Sequence, residues 1–188
     1  MFPRRSFALA FCVFAALTTI GAQQDGPTVV VLVRHAEKAA TPADDPGLTA
    51  AGRTRADALS EALRDARVDA IITTQYERTR TTAGPLALAQ HVTPVVVQAG
   101  TDTPAHVREV AAAVRRQPPG SLVVVVGHSN TIPAVITALG GPRLPDICDG
   151  EFSRLFTLVL PREGPPRLIQ SAYGARDAEQ PCGRTMIR

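Results

Sequence analysis

The chain has 188 residues, 45% of them hydrophobic, a length that suits one domain with a full apolar core and is short for two. Its formal net charge is +3, and Arg4 and Arg5 supply two of those charges. The remaining basic residues are scattered along the chain, so nothing in the sequence suggests nucleic-acid binding.

The first stretch, MFPRRSFALAFCVFAALTTIGAQQ, has a basic start, an apolar run from Phe7 to Leu17 and small residues at Gly21 and Ala22. That layout predicts a secretory signal peptide over residues 1–22, since the run is shorter than the ~20 apolar residues a bilayer-spanning helix needs. The expected address is periplasmic or extracellular, with no membrane association after cleavage. Removing the signal also removes Cys12 and leaves Cys148 and Cys182. In an oxidising compartment two remaining cysteines read as a disulfide, with two free thiols as the alternative. Paired, they would close a loop of about 35 residues and contribute ~3 to 4 kcal/mol.

Thr28 to Val33, TVVVLV, is a β-branched apolar run of the length expected for a strand buried on both faces, and it stops abruptly at Arg34. The loop AATPADDPG follows. From Thr49, a capping residue, Ala56, Leu59 and Leu63 recur at helical spacing. VDAIIT (Val68 to Thr73) is a second short strand, and TQYERTRTTAGPLALAQ is helical until Gly84 and Pro85, which are expected to kink or interrupt it. Next come a strand in PVVVQ, an amphipathic helix from Pro104 to Arg116 and a turn at QPPG. LVVVVG (Leu122 to Gly127) is the second wholly apolar strand, running into a helix in HSNTIPAVITALGG that its glycine pair closes. FSRLFTLVL and PRLIQSAY pattern as a hairpin at a sheet edge. Strands alternating with helices predict an α/β fold, a three-layer αβα sandwich around a mostly parallel sheet with a late antiparallel addition. The domain spans 28–175, and 176–188 is a C-terminal tail.

Ligands of open α/β sheets bind beyond the carboxyl ends of the strands. Two strands here end on histidines: one runs into Arg34, His35, Ala36, Glu37 and Lys38, the other into His128, Ser129 and Asn130. If those strands are neighbours, both imidazoles face one pocket. Arg78 follows VDAIIT beside a helix N-terminus, a position that attracts anions, although it and Arg80 could equally be solvated helix charges. Two arginines and two histidines around one crevice suit a phosphoryl dianion, because the planar guanidinium meets phosphate oxygens in bidentate fashion. Neutral His35 could then attack phosphorus in line while Arg34, Arg78 and His128 hold the equatorial oxygens.

VLVRHAEK, LTAAGRTRADAL, ITTQYERTRTTA and VVVVGHSN, in this order from about Val29 to Leu160, resemble the successive segments of the histidine phosphatase, or phosphoglycerate mutase-like, superfamily. The resemblance implies that His35 is the phosphorylated nucleophile, that Arg34 and Arg78 bind the phosphoryl group, that His128 stabilises it, and that no metal or organic cofactor takes part. Many members have glycine where this chain has Ala36, a small change that still permits close approach. The general acid is less determined. Members use a glutamate between the second arginine and second histidine segments, or an aspartate after the second histidine, where this chain has Ser129 and Asn130. Asp102 is the best-placed carboxylate, with helix capping as its alternative role; Glu109 and Glu37 follow.

The missing cap insertion resembles the short branch of the family. The expected activity is hydrolysis of phosphate monoesters or phosphoramidates by a monomer, on a phosphorylated small molecule or a phosphoprotein. The alternatives are an inactive phosphate-binding member and a phosphoglycerate mutase-like phosphotransferase. His35, Glu37 and His128 also form an H-x-E…H set of metal-ligand types, but no PCxxC segment follows and no third histidine or cysteine has suitable spacing.

Overall fold

A computed structural model describes residues 26–177. The expected signal peptide (1–22), Cys182 and the tail beyond Asp177 lie outside the described residues. Ten elements follow one another: β1 (Thr28–Arg34), α1 (Ala50–Ala62), β2 (Ala70–Thr73), α2 (Glu77–Ala89), β3 (Val95–Val96), α3 (Thr103–Arg115), β4 (Leu122–Gly127), α4 (Thr131–Ala138), β5 (Arg154–Leu160) and β6 (Arg167–Ala172). The strands make one six-stranded sheet in the order β3-β2-β4-β1-β5-β6. β1, β2, β3 and β4 pair in parallel, while β5 and β6 add antiparallel at one side. This is the expected α/β architecture around a mostly parallel sheet, with the late hairpin forming the edge.

Alternation along β1 divides the core between the two faces, as the two-residue period of a strand requires. Val30 and Leu32 point into a cluster with α3 and α4, including Val107, Val110, Ile132 and Ile136. Val31 and Val33 point the other way, toward Leu59 of α1 and Leu86 of α2. Each fully buried Leu, Ile or Val of this kind contributes about 1.5–3 kcal/mol of transfer free energy, which is why the apolar runs of β1 and β4 take the middle of the sheet. No helix among the described residues is long and apolar enough to cross a membrane.

Two elements differ from the sequence expectation. The segment around Gly84 and Pro85 neither ends nor interrupts α2, which runs on to Ala89. A proline crowds the Cβ of the residue before it, and that residue is a glycine with no Cβ; burial of Ala83 and Leu86 on either side holds the helix together. PVVVQ contributes only Val95 and Val96 as β3, an edge strand with one neighbour and exposed side chains, so packing does not extend it.

Candidate active site

The register of the sheet builds the site. Arg34 pairs with Gly127 across the β1–β4 ladder, and the His35 N–H donates to the Gly127 carbonyl at 2.9 Å. His35 and His128 therefore leave adjacent parallel strands at the same level, with ring centroids 5.5 Å apart. Gly127 makes the exit of β4 possible, since a Cβ there would lie 2.9 Å from Ile132 Cδ1 and 3.1 Å from Thr131 Oγ1. Thr131 accepts from the His128 N–H at 3.0 Å and fixes the turn into α4. On the other side Ala36 is fully buried, its N–H donating to Thr82 Oγ1 of α2 at 2.9 Å.

His35 Nδ1 lies 2.8 Å from the Ala36 carbonyl, an atom that only accepts, so Nδ1 carries the proton and Nε2 keeps its lone pair. Burial, reinforced by the charges of Arg34, Arg78 and Lys38, lowers the His35 pKa to about 4 despite the Ala36 hydrogen bond. Burial, then His35 and the same two arginines with His106, lowers that of His128 to about 3. Both imidazoles are neutral at neutral pH, one of them in the tautomer a nucleophile needs. His128 Nε2 is 3.3 Å from Thr74 Oγ1, which in turn lies 2.9 Å from Thr79 Oγ1.

Arg34 is buried, and its Nη1 donates to the carbonyls of Cys148 (2.8 Å), Asp149 (2.9 Å) and Glu151 (3.2 Å) in the loop before β5. Arg78 stands in the first turn of α2, 3.7 Å from Asp45 of the β1–α1 loop. Among the described residues the buried Nε of each arginine has no hydrogen-bond partner. Burial lowers both guanidinium pKa values below the ordinary arginine value, outweighing the nearby carboxylates.

The rings form a row. Tyr76 meets His128 edge-on at 5.5 Å, His128 meets His35, and His35 lies 6.5 Å from Phe152. At the ends of the row the Arg78 guanidinium stacks 4.2 Å from the Tyr76 centroid and that of Arg34 4.3 Å from Phe152.

The carboxylates considered from the sequence have other partners or face solvent. Asp102 is exposed and caps α3, accepting from the Ala105 N–H at 2.8 Å, because an N–H in the first turn of a helix has no helical acceptor. Glu109 is exposed on α3. Glu37 turns away to Arg55, accepting from Nε at 3.0 Å and Nη2 at 2.8 Å. Among the described residues no group of three or more His, Cys, Asp or Glu is arranged to hold a metal ion.

Arg55 and its partners were missed in the sequence. This buried guanidinium also donates to the carbonyls of Tyr173 (3.2 Å) and Ala175 (2.9 Å) and lies 3.5 Å from Asp177. Asp177 accepts from the Phe152 and Ser153 N–H groups and, at 2.7 Å, from the Ser153 hydroxyl. The available signal was weak: Arg55 sits on the apolar stripe of α1, one residue before Ala56. Gly52 brings that helix against the loop, since a Cβ there would collide with the Glu37 carbonyl. Cys148 is in a disulfide; Cys182, its expected partner, lies outside the described residues.

The family model of the histidine phosphatase superfamily (branch 1) matches residues 30–101, which include both arginines and His35. No curated protein is similar enough to the chain to count as a match. Among solved structures, the protein histidine phosphatase SixA complexed with tungstate superposes with a TM-score of 0.61 at 16% identity, over 77% of this chain and 96% of SixA. Mycobacterial glucosyl-3-phosphoglycerate phosphatase gives 0.56 at 20% identity, over 78% and 98%. Mycobacterial hydrolase 2 gives 0.54 at 18%, over 83% and 94%.

Proposed function

We propose that the chain, which matches the family model of the histidine phosphatase superfamily over residues 30–101, is a phosphatase of that superfamily that hydrolyses phosphate monoesters or phosphoramidates through a phosphohistidine on His35, with no metal or organic cofactor. The observation that carries this reading is the pair of buried, unpartnered Nε–H groups of Arg34 and Arg78 flanking two neutral imidazoles. A tetrahedral oxyanion supplies the acceptors these donors lack, and SixA is known in complex with tungstate, an anion of that shape.

In the proposed cycle His35 Nε2 attacks phosphorus in line, a P–N bond forms, and the bond to the leaving oxygen or nitrogen breaks with its electron pair. Arg34, Arg78 and His128 hold the charge that spreads over the equatorial oxygens. Water then attacks the phosphohistidine, returning neutral His35 and inorganic phosphate. With Asp102 and Glu37 engaged elsewhere, leaving groups that need little protonation are favoured: aryl oxides, or a nitrogen already protonated in a phosphoramidate.

We read the N-terminal segment as an export signal, and the disulfide at Cys148 supports an oxidising destination. Cell fractionation finding the protein in the cytoplasm would overturn that part.

The decisive test is hydrolysis of an aryl phosphate in EDTA by wild type and His35→Ala. Turnover in EDTA that falls by about a thousandfold or more in the variant, with acid-labile phosphate transferred to wild-type protein only, supports the reading. Undiminished turnover by His35→Ala removes it, and loss of wild-type activity in EDTA removes metal independence.

A further inference from the structure

We propose that Tyr76 and Phe152 are positioning residues of the phosphoryl site, each carrying one arginine on its ring face while the ring's near side borders one of the two histidines. The inference rests on the reading of the site as a phosphoryl-transfer centre and adds residues that its chemistry does not itself require.

The geometry is paired. Tyr76, the residue just before α2, bears the Arg78 guanidinium at 4.2 Å and meets His128 at an interplanar angle of 80°. Phe152, in the loop before β5, bears the Arg34 guanidinium at 4.3 Å and lies 6.5 Å from His35. Both rings are half-buried, and neither belongs to a hydrophobic core cluster. Packing alone therefore does not account for two large aromatics beside the histidines.

A stacked ring does what a carboxylate there would not. It attracts the flat face of a guanidinium through its quadrupole, excludes water from that face and takes none of the in-plane N–H donors. The donors stay available for phosphoryl oxygens, consistent with the unpartnered Nε of both arginines. A carboxylate would occupy the same donors and cancel the charge. The two rings should differ in weight. Arg34 is also held by three backbone carbonyls, whereas Arg78 has the Asp45 carboxylate at 3.7 Å. Tyr76 thus carries more of the placement of its arginine than Phe152 does.

The test measures affinity for inorganic phosphate and, in parallel, kcat and KM for an aryl phosphate. Tyr76→Leu is expected to weaken phosphate binding by about 5- to 30-fold, the range of one cation–π contact, and Phe152→Leu by less. Tyr76→Phe and Phe152→Tyr keep a ring and recover most of each loss, with unfolding midpoints of all four variants close to wild type. Wild-type affinity in both leucine variants overturns the proposal, as does a loss in Tyr76→Phe equal to that in Tyr76→Leu, which would assign the effect to the hydroxyl. An independent reading comes from NMR of the unliganded wild-type protein, where ring currents shift the Arg34 and Arg78 side-chain resonances upfield. Unshifted resonances there sink the positioning role even if the enzyme is active. Shifted resonances in a protein that forms no phosphohistidine would instead remove the phosphatase reading and leave the stacking intact.

Discussion

Arg55 and the pair Arg34 and Arg78 are buried or nearly so, and each borders the segment between β1 and α1, yet their surroundings differ. Burial pulls Arg55 down as well, but the hydrogen bonds and charge of Glu37, then Asp177, prevail and raise its pKa above the ordinary arginine value. Its donors are shared among a carboxylate, two carbonyls and a second carboxylate. Arg34 and Arg78 end lowered, each with a buried Nε that nothing in the described fold satisfies. A buried charge that the protein neutralises for itself reads as scaffold; one left short of acceptors marks a candidate anion site. The difference separates two roles that residue type alone cannot.

Variants of the two arginine types should therefore fail in different ways. Arg55→Leu leaves Glu37 and Asp177 without their cation and is expected to destabilise the fold by about 3–5 kcal/mol, read from chemical denaturation. Equal stability to wild type would break the contrast. Arg34→Met removes an under-compensated charge but frees the carbonyls that Arg34 holds, so stability should fall by about 1–3 kcal/mol, less than in Arg55→Leu, while kcat/KM for an aryl phosphate falls by about 10²–10³-fold.

Acid sharpens the same division. His35 and His128 stay neutral in the folded protein down to about 4 and about 3, against an ordinary value of 6.5. Between pH 6.5 and about 4 the unfolded chain thus binds protons that the folded one does not, and stability falls as pH falls. Asp177 is lowered below 3.8: burial raises it, but the Ser153 hydroxyl, the Phe152 and Ser153 N–H groups and Arg55 outweigh that effect. Its contribution is present above 3.8 and is lost only as pH drops through the folded value. Saturating phosphate raises the folded histidine pKa values and should flatten the first window while leaving the second. Titration of His35 by NMR near pH 6.5 in the free protein would contradict this.

The smallest effect is expected at Asp45, a partly exposed carboxylate beside Arg78. Asp45→Asn keeps an acceptor for the Glu77 N–H but removes the competing charge, so phosphate affinity should rise by no more than about fivefold and fade in high salt.

Much of this was legible in the residues. TVVVLV and LVVVVG read as buried strands because only a site covered on both faces accepts unbroken β-branched runs, and both occupy the sheet centre. That reading puts each histidine at a strand end, the pairing of β1 with β4 brings both to one rim, and the hairpin pattern puts β5 and β6 at the edge. The fate of α2 at Pro85 was not legible, since a local breaker signal lost to burial of Ala83 and Leu86. Asp102 and Glu37 carry the same carboxylate, and sequence cannot tell a helix cap or an arginine partner from an acid poised at a substrate.

The sequence by itself determined the strand and helix order, the two histidines and two arginines, and hence the chemistry the pocket suits, because hydrophobic period and strand-end position are local properties. Only the tertiary structure decided that Glu37 belongs to Arg55, that carbonyls 114 to 117 residues away grip Arg34, and that Tyr76 and Phe152 close the row of rings. Those are contacts between segments distant along the chain, and burial and charge balance at a point in space depend on everything that folds around it.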